Sequence, residues 1–273
     1  MNITDHSSKP KLVVATTDTR RRTAHEILKG SAKNAREELA RSTPALFISG
    51  LAGGMTIGLT GLGVAVAHTY LGFGGAREIL ANLLYPLGFV AVVIGRAQLF
   101  TENTLYPVVL VLDERKHVLN TLRLWGTVFA ANVLGAFGFA ALAVLSGALR
   151  PEYVKSLASL GTISAQGNFG HLFWSGVIGG WLIALVAWMV TASQYTIGQI
   201  AVVYFLTYLV GLGHFAHCIA SSAEILSAVL ANTTSALSYF QWLAPATLGN
   251  IAGGVTIVSL LNYGQVVAGK ETS

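Results

Sequence analysis

The 273-residue chain is 53% hydrophobic and 11% charged, with a mean hydropathy of +0.61, where an ordinary soluble domain is about 25% charged. A water-soluble globule would be left short of polar surface. The net charge of +5 is no nucleic-acid footprint either, because nine of the seventeen Lys and Arg fall within residues 1–43, ahead of the first apolar stretch, where they read as a topology signal.

In chain order, residues 1–22 are rich in Thr, Lys and Arg and read as a flexible cytoplasmic tail. They contain no apolar core of a secretory signal. Over residues 23–41, Ala24, Ile27, Leu28, Ala35 and Leu39 interleave with Glu26, Lys29, Lys33, Arg36 and Glu37. That spacing predicts an amphipathic helix lying on the membrane surface or against a neighbouring subunit. The cytoplasmic N-terminal part is thus set at residues 1–43, the membrane domain at 44–268 and a short cytoplasmic C-terminus at 269–273.

Six membrane spans of about 20 residues each fill the membrane domain. The first, 44–71, carries Gly50, Gly53, Gly54, Gly58, Gly61 and Gly63, small residues that let helices approach closely in lipid. The second, 79–112, is too long for one straight crossing and is interrupted by Leu99-Phe100-Thr101-Glu102-Asn103. After a charged loop at 113–117 the third span covers 118–149. A polar stretch, 150–168, then divides the chain into repeats of about 44–150 and 169–268. The fourth span is 169–192, the fifth 197–230 with an interruption at Gly213-His214-Phe215-Ala216-His217, and the sixth 239–267. Placing the basic tail inside also places the 113–117 loop and Lys270 inside, so both termini are expected in the cytoplasm.

Hydrocarbon offers no hydrogen-bond partner to unwound backbone, so broken helices persist only where they are packed in protein or line a polar cavity. One break in each half points to a substrate site near the bilayer midplane between inverted repeats. A pore or transporter follows. His217 has the side chain best suited to exchanging a proton near neutral pH, and it equally suits tying together broken backbone. Thr101 offers a hydroxyl to His217 or to a substrate, or a cap to the half-helix after it. Arg96, Glu102, Arg123 and Glu224 are ionisable residues within or near spans, where charges pair or line water. An ion pair of Arg96 with Glu102 or Glu224 is expected; otherwise these charges alter which ion the pore admits. His214 is a second candidate proton carrier or a packing residue, and His68 and His171 are expected at the membrane interface.

Leu99-Phe100-Thr101, His217-Cys218-Ile219-Ala220, the stretch from Gly176 through Trp181-Leu182-Ile183 to Trp188-Met189, and Pro245-Ala246-Thr247-Leu248-Gly249-Asn250-Ile251-Ala252-Gly253-Gly254 occur in this order. From about residue 44 to 267 they resemble the formate/nitrite transporter family of pentameric channels, in particular a divergent inner-membrane subgroup of it. The resemblance implies an all-α membrane protein of six transmembrane helices, an aquaporin-like inverted repeat with broken second and fifth helices, in a bacterial inner membrane. It also implies that His217 gives a proton to, or electrostatically attracts, a small monovalent anion that passes as its neutral acid. Leu99, Phe100, Phe89 and Ile183 would form the cytoplasmic constriction, and Tyr85 and Val210 the periplasmic one, with Tyr85 more polar than the family's usual Phe. Asn250 would serve helix packing more than substrate.

The chain departs from the family at Ala216, Ser221 and Glu102, and at Gly180, where the family has an Asn facing the pore. Two other readings therefore stand beside the anion channel. An aquaporin-like pore for neutral solutes is favoured if Gly180 and Ser221 open the vestibule, and a non-conducting member if Arg96, Glu102 and Glu224 close the lumen with ion pairs.

Other chemistry is poorly supplied. Gly72-Phe73-Gly74-Gly75 lacks the strand, helix and Lys of a phosphate loop. The lone cysteine, Cys218, makes neither a disulfide framework nor a cysteine-based zinc site, and His214 with His217 has no acidic partner at metal-ligand spacing. No nucleophile, base and orienting group stand together as an enzyme needs. The expected partners are the bilayer, a small anion or weak acid and further copies of the chain, with no cofactor, metal or nucleic acid.

Overall fold

Thr23 and Glu26 close a reciprocal capping box, with Thr23 N donating to Glu26 Oε2 at 2.8 Å and Glu26 N to Thr23 Oγ1 at 3.3 Å. The chain therefore enters its first helix, α1 (Ala24–Ala40), close to where the apolar periodicity begins. The computed structural model describes residues 21–270, and the regular elements among them are all helical. The tail through residue 20 and the C-terminus from 271 lie outside the described residues.

Ser42 caps α2 (Thr43–Ile57), which Pro44 helps to start, and α3 (Leu59–Leu71) continues it after a joint at Gly58. The joint has a packing cause, since a Cβ there would sit 2.2 Å from the Phe139 ring. The second crossing is built in pieces: α4 (Ala76–Ala81), a tight turn, α5 (Pro86–Ile94), the break, and α6 (Tyr106–Glu114). The third, α7 (Val118–Leu145), stops four residues earlier than the expected 149.

The stretch 150–168, read as a polar connector, holds a further helix, α8 (Pro151–Ser164). Its Ser156, Leu157, Ala158, Leu160 and Gly161 are buried, an apolar stripe too short for a span and diluted by polar neighbours. Asn168 caps α9 (Phe169–Ala192), and α10 (Thr196–Leu212) and α11 (Ala220–Leu230) are the two pieces of the fifth crossing. The sixth is α12 (Ala236–Ala252), a π-helical segment at Gly253–Leu260 and α13 (Leu261–Lys270). In that segment a Cβ on Gly254 would lie 2.1 Å from Thr104 Oγ1, and Ser259 Oγ donates to Thr104 O at 3.1 Å. The widened helix is thus seated on the first break.

Five helices are long and apolar enough to cross a membrane, and α10 and α11 are shorter apolar helices. Large apolar side chains such as Leu119, Leu134, Phe205 and Phe240 are exposed, which suits hydrocarbon and not water. The amphipathic α1 packs its apolar stripe on α6 and α9 of its own protomer. Arg36 reaches Glu114 at 2.6 Å, and Arg123 donates to the Leu39 and Arg41 carbonyls at the C-terminal end of α1. Lys116, His117 and Arg36, all hydrogen-bonded to it, hold the Glu114 carboxyl down at about 2.

The two halves superimpose in their wiring. The α2·α7 packing is repeated by α9·α12, and α8 stands before α9 as α1 stands before α2. Gln98 and Ala216, Phe100 and Cys218, and Asn132 and Asn250 each stand 118 positions apart. Each asparagine donates through Nδ2 to two carbonyls and accepts through Oδ1 from a break N–H. Asn132 binds Gly50 O (2.7 Å), Gln98 O (2.9 Å) and Phe100 N (2.8 Å). Asn250 binds Gly176 O, Ala216 O and Cys218 N, each at 2.8 Å. The serines match as well: Ser49 Oγ accepts from Gln98 N and Ser175 Oγ from Ala216 N.

Candidate functional site

Both breaks begin with a residue in the left-handed region, Arg96 at φ 57° and His214 at φ 50°, just after the last turn of α5 and of α10. This turns the chain out of the helix. The polar backbone so released is taken up by the asparagine and serine contacts above, which is how irregular chain persists at membrane depth. The breaks meet where Thr101 Oγ1 lies 2.8 Å from His217 Nε2, both side chains fully buried.

His217 Nδ1 accepts from Ala220 N at 2.9 Å and from Ile219 N at 3.4 Å, capping α11. An accepting Nδ1 carries no proton, so the ring hydrogen sits on Nε2 and is donated to Thr101 Oγ1. The histidine therefore does tie broken backbone together, while its other edge is turned to the opposite repeat. The Phe89 ring meets His217 edge-on at 5.1 Å between centroids, and Tyr85 follows Phe89 at 5.8 Å.

A cavity opens on each side of this stack. The one beneath α1, of about 510 Å³, reaches Leu99 and is lined by Arg22, Lys33, Arg96, Glu37, Glu38 and Glu102 among others. The one beside α8, of about 330 Å³, reaches Tyr85 and Val210 and carries Asn82, Ser221 and Glu224. Phe89, Thr101 and His217 line neither and separate the two. Ile183 is buried on α9 and also lines neither cavity. Phe100 turns its ring to Trp125 and Phe129 of α7, at 5.9 and 5.0 Å.

The expected ion pair is not formed. Arg96 and Glu102 share a cavity with no salt bridge between them among the described residues, and Glu224 is in the other cavity, held by Ser164 Oγ at 3.0 Å. An ion-pair plug of these three residues is thus absent. His68, in the last turn of α3, is buried within the protein. It stacks on Phe73 at 4.2 Å, and its Nε2 is 3.3 Å from Glu78 Oε2. His214 is half exposed at the cavity, 3.9 Å from the same carboxyl.

Gly180 opens no vestibule. A Cβ there would lie 2.2 Å from Asn250 O, as one on Gly54 would lie 2.1 Å from Asn132 O, so both glycines let helix backbones touch. Gly180→Asn is expected to lower the thermal midpoint in detergent by roughly 5 °C or more, because a backbone atom cannot rotate away from the clash. An unchanged midpoint would contradict this packing.

Sequence reasoning missed Asn132, the mate of Asn250. The signal was present as Asn132-Val-Leu-Gly135 and Asn250-Ile-Ala-Gly253 at the same spacing as the two breaks. It also missed Gln98, whose Nε2 donates to Glu38 at 2.7 Å and whose Oε1 accepts from Asn103 at 2.9 Å, linking α1 to the first break.

Two inverted halves, paired broken helices and a buried polar contact between two cavities define an integral membrane channel or transporter of aquaporin-like fold. Residues 25–264 match the model of the formate/nitrite transporter family. The chain is 33% identical to the Inner membrane protein YfdC of Escherichia coli over 238 residues, 84% of this chain and 74% of that one. A probable formate transporter of Methanothermobacter thermautotrophicus is 29% identical over 69% of this chain and 75% of its own. Among solved structures, an FNT family ion channel aligns with a TM-score of 0.74 at 19% identity, covering 90% of this chain and 99% of that chain. A pentameric formate channel with formate bound aligns at 0.72 and 19%, covering 82% and 98%. The chain belongs to the formate/nitrite transporter family.

Proposed function

We propose that this protein is a channel for small monovalent anions of the formate or nitrite type, passed as their neutral weak acids. It would act in the bacterial inner membrane as a homopentamer with both termini cytoplasmic. The observation that carries this reading is the 2.8 Å contact of Thr101 Oγ1 with His217 Nε2, where the two breaks meet between two cavities. The relatives' names support the substrate class and the membrane, the pentameric neighbour supports the assembly, and the basic N-terminal segment supports the orientation.

A carboxylate entering an apolar constriction loses its water at a cost of several kcal/mol, and protonation removes most of that cost. Leu99, Phe100, Phe89 and Ile183 would make the cytoplasmic constriction and Tyr85 and Val210 the periplasmic one. Between them His217 supplies Nε2–H to Thr101, whose hydroxyl hydrogen is left to turn toward a solute oxygen. Losing Nε2–H from a neutral ring would leave an imidazolate, so the neutral histidine attracts and orients. It becomes a proton source only after taking a second proton on Nδ1, which breaks the α11 cap.

The test is uptake of formate, nitrite, acetate, lactate, hydrosulfide and glycerol into proteoliposomes at about pH 5.5 and about pH 7.5. Flux of one or more acids that rises at the lower pH is expected. Passage of glycerol with no acid would overturn the reading in favour of a neutral-solute pore.

A further inference from the structure

The two cavities differ in charge. The α1-side cavity mixes Arg22, Lys33 and Arg96 with its three glutamates. The α8-side cavity has no Lys or Arg in its lining, and Glu224 is its one carboxyl. That carboxyl is held in place with some care. It is 5% exposed, Ser164 Oγ donates to Oε2, and α11 is brought in close by two glycines, since a Cβ on Gly61 would lie 2.6 Å from Glu224 Cγ and one on Gly161 2.1 Å from Glu224 O.

The elements packed on α11 bring it no cation. From α8 come Ser164 and Leu157, while Glu152 and Lys155 are exposed and Tyr153 is engaged with Tyr70 of α3. From α3 comes Gly61, with His68 held by Gly72 O and beside Glu78. α2 and the second half of α7 carry no titratable side chain, and from α12 comes Tyr239, hydrogen-bonded to Ser222. Across the cavity stand Tyr85, His171 and His214.

We propose that Glu224 is a specificity-determining residue of this pore, an anion filter that admits a weak acid to the α8-side cavity only as the neutral molecule. Asn82, Ser221 and Tyr85 then supply neutral hydrogen-bonding groups to it. A carboxylate and a second anion roughly 7 Å apart at an effective dielectric of about 20 repel strongly enough to suppress anion entry by at least roughly tenfold. The proposal rests on the weak-acid reading above and assigns selectivity at one mouth of the same pathway.

The experiment compares formate uptake at about pH 7.5 in proteoliposomes of the wild type, Glu224→Gln and Glu224→Asp. Glu224→Gln keeps the size and an acceptor for Ser164 and loses the charge, so uptake is expected to rise roughly tenfold. Glu224→Asp keeps the charge and should stay within about twofold of wild type. Should Glu224→Gln fail to assemble, Ser164→Lys, which sets an ammonium against the carboxyl, is expected to give the same gain. Equal uptake in the Gln and Asp variants, or no gain in either charge-neutralising variant, overturns the filter while leaving the weak-acid channel standing. A wild type that carries no weak acid at either pH overturns both.

Discussion

Asn132→Leu and Asn250→Leu are each expected to cost about 3 kcal/mol or more of stability and to lower the thermal midpoint in detergent by roughly 10 °C. Leucine fills nearly the same space and removes all three hydrogen bonds at once. In Asn132→Leu the carbonyls of Gly50 and Gln98 and the N–H of Phe100 lose their partner; in Asn250→Leu those of Gly176 and Ala216 and the N–H of Cys218 do. Four of the six groups, Gln98 O, Phe100 N, Ala216 O and Cys218 N, lie in the breaks, where neither a helix ladder nor bulk water can replace the amide. Against a total stability of order 5–15 kcal/mol this is a large fraction. Because the two asparagines share no partner, the two losses should add in the double variant. A midpoint lowered by less than about 2 °C in either single variant would mean that the breaks are held by something else.

The same residues mark how far the sequence could be read. The six crossings, the two interruptions and the joining of Thr101 to His217 follow from hydropathy, from motifs and from the rule that broken helices at membrane depth must be satisfied internally. Helix α8 was hidden because a 14-residue helix buried against its own protomer needs only a narrow apolar stripe, which polar neighbours conceal in a linear reading. The joint at Gly58 and the π segment at 253–260 depend on what those glycines meet across the fold, the Phe139 ring and Thr104, and no local pattern announces that. Of the charged residues only Glu224 is buried, while Arg96 is exposed and Glu102 and Arg123 are partly exposed, and the expected partnership does not form. Arg96 and Glu224 lie in different cavities, a fact set by the inverted topology and not by their spacing in the chain. Gly180 teaches the converse. A position compared by family pattern alone looked like a change to the pore, while its place against Asn250 O makes it a contact between helices.

His217→Asn should separate the two things this side chain does. Asparagine is a good helix cap, and its Oδ1 can accept from Ile219 N or Ala220 N as His217 Nδ1 does, so the variant is expected to unfold within about 2 °C of wild type. It has no group that reproduces Nε2–H at Thr101, and weak-acid uptake should fall by roughly tenfold, the scale of one buried hydrogen bond. His217→Ala removes the cap as well and should add a loss of about 1 kcal/mol in stability to the same loss of flux. Thr101→Val, which keeps shape and deletes the hydroxyl, should match His217→Asn in flux. Since both variants cut the same 2.8 Å contact, combining them should cost little more than either alone. If His217→Asn conducts as wild type does, the histidine is only the cap of α11, and the hydroxyl of Thr101 together with the apolar constrictions would have to account for any selectivity the pore has.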